Sequence, residues 1–339
     1  MKINPQLVRD IGEQGLLKTL YPYCQAGVVG DDGAVIKITP GTELVVTTDV
    51  LVDQVHFSDR TTSPEDVGWR AIAANLSDLA AMGATPLGIT VGLSIPGDVP
   101  VTWIERLYQG MNRCVQQYNT SIVGGDLCRN QVITIAITAI GQVQPDEVIR
   151  RDAAKVGDAI VVTGVHGASR AGLELLLNPD WGQNFPEEDK NFWLQCHQQP
   201  QPRLDVLKYL KDVSRDLLTD RGEKRPVAGM DSSDGLADAV IQICRCSKFG
   251  ATLDLNAIPL IESELILPEL ALEWALYGGE DFELVLCLPQ QPAQALVKLL
   301  GKKAAVIGKI TPENQVELID STGVYEKRGL SLANGFQHF

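Results

Sequence analysis

Seven aspartates sit among glycine, small and apolar residues instead of on charged helix faces. They are Asp31 and Asp32 in GDDGA, Asp49 in VVTTDVLV, Asp78 in ANLSDLAAMG, Asp126 in VGGDL, and Asp231 and Asp234 in GMDSSDGL. A carboxylate in such surroundings is costly unless a cation meets it. Any one of them alone reads as a helix cap or turn acid. Brought together, with few Lys or Arg nearby, they would repel and raise one another's pKa values, a conflict that divalent cations resolve. Neighbouring hydroxyls at Thr47, Thr48, Ser77 and Ser233 extend a hard-oxygen donor set that suits Mg²⁺. Mg²⁺ held by few carboxylates fills its shell with water and substrate phosphates, which points to a polyphosphate, most simply ATP.

Neither common nucleotide cradle is present: there is no GxxxxGK[ST] and no G-x-G-x-x-G with its following lysine. The phosphate grip then falls to metal bridges, to backbone at Gly124–Gly125, and to an arginine at the junction near residue 150. The turn at Gly164 and Gly167 reads equally as a phosphate contact or a plain strand-to-helix turn. No Ser, Cys or His has the context of an activated nucleophile, so direct transfer without a phosphoenzyme is expected. His56, between Val55 and Phe57, reads on its own more readily as a core histidine than as a ligand.

Composition narrows the partners. The 339 residues carry 43 acids against 29 bases, a net charge of −14, so nucleic acid and membrane are not expected. The seven cysteines form no CxxC pair and no zinc spacing, and no D-x-D-x-D-G loop is present. No apolar run approaches the ~18 residues of a membrane span. A soluble, reduced, cytoplasmic protein is the expectation.

The elements that must position these residues mix strands and helices without strict alternation, which predicts an α+β fold in two domains, 1–146 and 147–339. GAVIKI (33–38) and LVVTTDVLV (44–52) read as a hairpin. Ser63-Pro64-Glu65-Asp66 opens a helix to about Met82, with Gly83 as its stop. Strands at 86–95, about 121–126 and 132–143, and a helix at 103–118, complete the first half. The apolar strands at 44–52 and 86–95 would be hazardous as free edges, so a homodimer covering them is expected. The second half reads as strands at 159–164, 227–230, 251–255, 282–288, 304–310 and 316–320, with helices after Ser169, at 234–248, at 270–276 and at 293–300. The polar run 214–226 reads as a surface loop.

GDDGAVI, TTDVLVDQVHF, AANLSDLAAMGATP, VGGDL, MDSSDGL and YGGEDFELV, in that order, resemble the thiamine-monophosphate kinase family. It belongs to the aminoimidazole-ribonucleotide-synthetase-like superfamily of ATP enzymes. The resemblance runs from about Gly30 to the terminal GFQHF. It implies ATP-dependent phosphorylation of thiamine monophosphate to thiamine diphosphate, assisted by several Mg²⁺ ions. It also implies an N-terminal metal- and ATP-binding domain whose mixed sheet pairs across a homodimer, and a C-terminal domain closing over nucleotide and substrate. Residue by residue, it implies metal ligands at Asp32, Thr47, Thr48, Asp49, Asp78, Asp126, Asp231 and Asp234. Tyr108, Gly125, Asp126, Arg151 and Ser233 would meet ATP, and His56, Glu280 and Phe336 would hold thiamine monophosphate. Ser232 stands where the family usually has an apolar residue, and Arg150 competes with Arg151. Selenophosphate synthetase, aminoimidazole ribonucleotide synthetase and the hydrogenase-maturation carbamoyl dehydratase are the neighbouring alternatives. No Gly-rich Cys/Lys motif surrounds Cys24, and the chain ends in His-Phe instead of a cysteine.

Overall fold

The computed structural model describes residues 5–29, 32–213, 217 and 225–335. The chain divides into two compact units, one formed by 1–79 with 85–143 and the other by 80–84 with 144–339. Among the described residues, no helix is long and apolar enough to cross a membrane.

The first unit contains α1 (Val8–Leu20), β1 (Glu43–Val52), α2 (Pro64–Ala81), β2 (Thr85–Ile95), α3 (Val101–Gln117), β3 (Ile122–Arg129) and β4 (Thr134–Val143). Ser63 caps α2: its hydroxyl accepts from Asp66 N at 3.2 Å and donates to the Asp66 carboxylate at 2.6 Å, while Pro64 takes the first helical position. Gly83 stops the helix with φ at +76°, and a Cβ there would lie 2.6 Å from Glu147 O.

The four strands run in the order β1-β4-β2-β3, antiparallel except for the parallel β2/β3 pair. The expected hairpin does not form. Residues 33–38 are not strand, and β1 pairs with β4 from Glu43↔Val143 to Val52↔Thr134. That ten-residue ladder satisfies more backbone than a six-residue hairpin could. β1 is an edge as expected, whereas β2 lies inside the sheet. Alternation along β4 buries Ile135, Ile137 and Ala139 completely. On the opposite face Leu44, Val46 and Val50 remain 53%, 62% and 45% exposed.

The second unit carries β5 (Ala159–Val162), α4 (Ala168–Leu177), α5 (Glu187–Gln198), α6 (Val206–Asp212), β6 (Ala228–Asp231), α7 (Leu236–Ser247) and β7 (Gly250–Asp254). It continues through α8 (Pro268–Tyr277), β8 (Leu284–Leu288), α9 (Gln290–Leu300), β9 (Ala305–Thr311), β10 (Val316–Ile319) and β11 (Arg328–Gly329). Its sheet runs β11-β10-β7-β9-β5-β8-β6. Every residue of β5 and β8 is buried, because helices cover both faces: α7 packs in one core with Ile160 and Val285, and α9 in another with Val161 and Leu286. Trp181, Phe185, Trp193 and Trp274 form a separate aromatic cluster. Most of the 214–226 loop lies outside the described residues; from its end, Arg225 reaches Asp158 at 2.6 Å.

In the first unit α2 and α3 touch backbone to backbone through two glycines. A Cβ on Gly68 would lie 2.0 Å from Leu107 O, and one on Gly110 would lie 1.8 Å from Glu65 O. Gly110→Ala should therefore destabilise the protein by about 1–3 kcal/mol or more, as overpacking against a fixed neighbour does. Urea denaturation checks this; an unchanged midpoint would show that the helices can separate without cost.

Candidate active site

In the first unit, β1 sends side chains alternately to its two faces. Thr47 points toward α2, where its hydroxyl donates to the Asp78 carboxylate. Asp49 lies on the same face, and its N–H donates to Asn75 Oδ1 at 3.1 Å. Asn75 is fixed in turn by donating to Ala71 O at 3.0 Å. Thr48 points the other way and shares a 2.9 Å hydroxyl contact with Thr138. Asp126 lies on the open face with Thr48, in the row Val50↔Ala136, Ala136↔Gly92 and Gly92↔Asp126. It is exposed on β3 at the opposite edge of the sheet, three strand spacings or about 14 Å from β1.

Gly125 has a packing reason to lack a side chain: a Cβ there would lie 2.2 Å from Val91 O. Tyr108 is 4% exposed on α3, with its ring 6.1 Å from Tyr23, and burial raises its hydroxyl pKa. His56 sits in the turn after β1, where Nδ1 accepts from Val52 N at 3.0 Å and so puts the proton of the neutral ring on Nε2. Asp32 is exposed, while Asp31 and Phe336 lie outside the described residues.

In the second unit, β6 ends on the buried Asp231, which accepts from Ser233 Oγ at 3.3 Å. Gly235, with φ at +102°, then turns the chain into α7, leaving Asp234 exposed. Ser232 is fully buried. Its hydroxyl lies 3.1 Å from His166 Nε2 and 3.1 Å from Glu283 O. His166 Nδ1 faces Gly164 O at 3.2 Å, and burial lowers the ring's pKa to about 4, so it is neutral. Ser232 thus stands as half of a buried polar pair.

Glu280 lies in the segment between α8 and β8, with Gly279, Glu280 and Phe282 at φ of +68°, +60° and +52°. Its N–H donates to Ser233 O at 2.6 Å, and its carboxylate lies 3.7 Å from His197 Nδ1. The backbone of the segment between α8 and β8 is therefore bonded to that of the Asp231–Gly235 turn. The two acids that follow Glu280, Asp281 and Glu283, are drawn inward by partners distant in sequence. Asp281 accepts from Gly167 N at 2.7 Å and Ser169 N at 2.9 Å at the start of α4. Glu283 meets Thr163 Oγ1 and Arg203 Nη1, each at 2.5 Å. The acid-rich YGGEDFE string signals these residues, but their partners are invisible without the fold.

Arg150 forms a two-pronged surface pair with Asp152, at 2.9 and 3.0 Å. Arg151 is exposed, and its carbonyl accepts from Ser247 Oγ at 2.8 Å. Among the described residues, no three His, Cys, Asp or Glu side chains gather as an ion cage. The donors nevertheless fit Mg²⁺, which takes one or two carboxylates and leaves its other positions to water and phosphate oxygens. Asp78 with Thr47 and Asp231 with Ser233 are such hard-oxygen pairs.

Residues 30–143 match the family described as AIR synthase related protein, N-terminal domain, and residues 155–321 match its C-terminal domain. The fold and the two acid-bearing units thus define an AIR-synthase-related protein. A thiamine-monophosphate kinase of Synechococcus elongatus is 50% identical over 339 residues, covering 99% of each chain. The solved thiamine-monophosphate kinase of Stenotrophomonas maltophilia is 30% identical with a TM-score of 0.75, covering 90% of this chain and 94% of that one. The structure of AaThiL complexed with AMPPCP and TMP is also 30% identical, with a TM-score of 0.70, covering 97% and 98%. The chain belongs to the thiamine-monophosphate kinase family.

His166 gives a pH prediction. Its ring is held below its ordinary range in the fold, so its contribution to stability is full above pH 6.5 and is lost as pH falls toward 4. The stability advantage of the wild type over His166→Gln should shrink by about 3 kcal/mol between those limits. Denaturant titrations at several pH values measure it, and a constant difference would contradict a buried neutral ring.

Proposed function

We propose that the protein moves the terminal phosphoryl group of ATP onto thiamine monophosphate, giving thiamine diphosphate, by direct in-line transfer with several Mg²⁺ ions. The observation that carries this reading is the end-to-end likeness to thiamine-monophosphate kinases, including one solved with AMPPCP and TMP. Asp32, Thr47, Thr48, Asp49, Asp78, Asp126, Asp231 and Asp234 are the proposed oxygen donors for the ions. Bound there, Mg²⁺ would neutralise the charge of two polyanions and align them.

The acceptor oxygen is already ionised, so no residue need serve as a strong base. Gly125 and Ser233 would meet ATP, as would Tyr108 through its hydroxyl. Arg151 is preferred over Arg150, whose guanidinium is already engaged with Asp152. Glu280 would face the cationic thiazolium or the aminopyrimidine of the acceptor, with His56 and Phe336. The proposed division of labour gives metal, nucleotide and dimer contacts to residues 1–146, and nucleotide and acceptor contacts to 147–339. A cytoplasmic homodimer is part of the proposal. The exposed Leu44, Val46 and Val50 on one face of β1 supply the apolar surface a second copy would cover.

Incubation with ATP, Mg²⁺ and thiamine monophosphate should yield thiamine diphosphate and ADP by mass spectrometry; ATP consumed without thiamine diphosphate would refute the reading. Asp49→Asn and Asp78→Asn should each abolish turnover while preserving the fold, and near-normal activity at saturating Mg²⁺ would remove them from the metal site. Glu280→Gln should raise the KM for thiamine monophosphate roughly tenfold, the loss of one charge-assisted contact, while ATP binding hardly changes. If ATP affinity and Mg²⁺ dependence shift instead, Glu280 serves metal and not acceptor.

A further inference from the structure

Two non-glycine residues in the left-handed region within one short segment, Glu280 and Phe282, are costly and persist only where the surroundings hold them. Three sets of contacts do so here. Asp281, between them, turns its carboxylate inward to the first amides of α4, bonding Gly167 N at 2.7 Å and Ser169 N at 2.9 Å. On the far side, Glu283 is clamped by Thr163 Oγ1 and by Arg203, whose Nη1 also donates to Thr163 O at 2.7 Å. Thr163 closes this knot by accepting from Leu284 N at 2.8 Å through its hydroxyl. Gly164 is glycine for the same reason, since a Cβ there would lie 2.2 Å from Glu283 Oε1. Finally, Glu280 N donates to Ser233 O at 2.6 Å, and Ser232 N donates to Glu283 O at 2.8 Å.

We infer that Asp281 and the Glu283–Arg203–Thr163 knot are positioning residues that force Glu280 into its left-handed backbone, aim its carboxylate at the acceptor, and lock its segment to the Asp231–Gly235 turn. The side chains of Glu280-Asp281-Phe282-Glu283 then divide the work. Asp281, Phe282 and Glu283 turn inward as anchors, with Phe282 only 7% exposed. Glu280, with its carboxylate 3.7 Å from His197 Nδ1, keeps a side chain that is 35% exposed. The backbone that carries this carboxylate is held by the two anchored acids that follow it. Asn at 281 offers one acceptor and one NH₂ group, so one of the two α4 amides would face a donor and the segment would relax.

The inference rests on Glu280 serving the acceptor, and a double-mutant cycle separates the two claims. Glu280→Gln alone decides the underlying reading: an unchanged KM for thiamine monophosphate overturns both. With that KM raised, Asp281→Asn should raise it by about five- to tenfold on its own, with the KM for ATP changed less than about twofold. Added to Glu280→Gln, Asp281→Asn should raise it no further, because it acts only through Glu280. A role confined to stability would lower the melting temperature and the active fraction while leaving both KM values unchanged. That result, or multiplicative effects in the double variant, overturns the inference and leaves Glu280 in place. Should Asp281→Asn not fold, Arg203→Lys carries the same cycle, since one ammonium cannot hold Glu283, Asp205 and Thr163 O together.

Discussion

Like charge is the constraint on which the rest of this structure depends. A chain with a net charge of −14 that handles phosphates must keep its site carboxylates apart until cations arrive. The fold does so by sorting its acids. Those with structural work are neutralised internally: Glu283 by Arg203, Asp158 by Arg225, and Asp281 by the amides of α4. Burial, the two N–H bonds opposing it, and the neighbouring Glu283 and Glu280 place Asp281 at about 7, so its charge is only partly expressed at neutral pH. Asp32, Asp126 and Asp234, proposed donors, are by contrast exposed.

The same constraint accounts for the scattering of the proposed donors over several elements. Asp126 lies at the opposite edge of its sheet from Thr48 and Asp49, while Asp231 and Asp234 belong to the other unit. Mg²⁺ needs only one or two carboxylates from the protein when phosphates complete its shell, so a site of this kind gains nothing from a preformed cage. What it does need is fixed geometry in each donor-bearing segment. Thr47 on Asp78, Asn75 on Asp49 N, and the Ser232–Glu283 and Glu280–Ser233 backbone bonds provide it.

Much of this was legible in the chain. Ser63-Pro64 and Gly83 marked both ends of α2, and β4 declared itself by strict alternation. The aspartates stood out because their neighbours were wrong for surface acids, and the ordered blocks pointed to the family. Long-range pairing was not legible. GAVIKI and LVVTTDVLV look like hairpin partners locally, but β1 finds its ladder in β4, about ninety residues on. α1 escaped notice because Gly12, at φ +63°, interrupts its periodicity. Gly125 read as a phosphate contact, although the approach of Val91 O already demands a glycine there. The anchors of Glu280 were hidden for the same reason as the ladder, since Arg203 lies 80 residues from Glu283 in sequence.

These features favour a mechanism that positions and neutralises instead of forming covalent bonds to the protein. Among the described residues of the second unit, the two histidines are buried in polar contacts with serines, His166 with Ser232 and His197 with Ser169, and neither is poised to relay a phosphoryl group. A single transfer from ATP to thiamine monophosphate is the course these features favour. The most direct measurement is the stereochemical course at phosphorus, using ATP made chiral at its terminal phosphorus with oxygen isotopes and sulfur. One in-line displacement predicts inversion of configuration in the thiamine diphosphate analogue formed. Retention would require two displacements through an intermediate on the protein and would contradict the account.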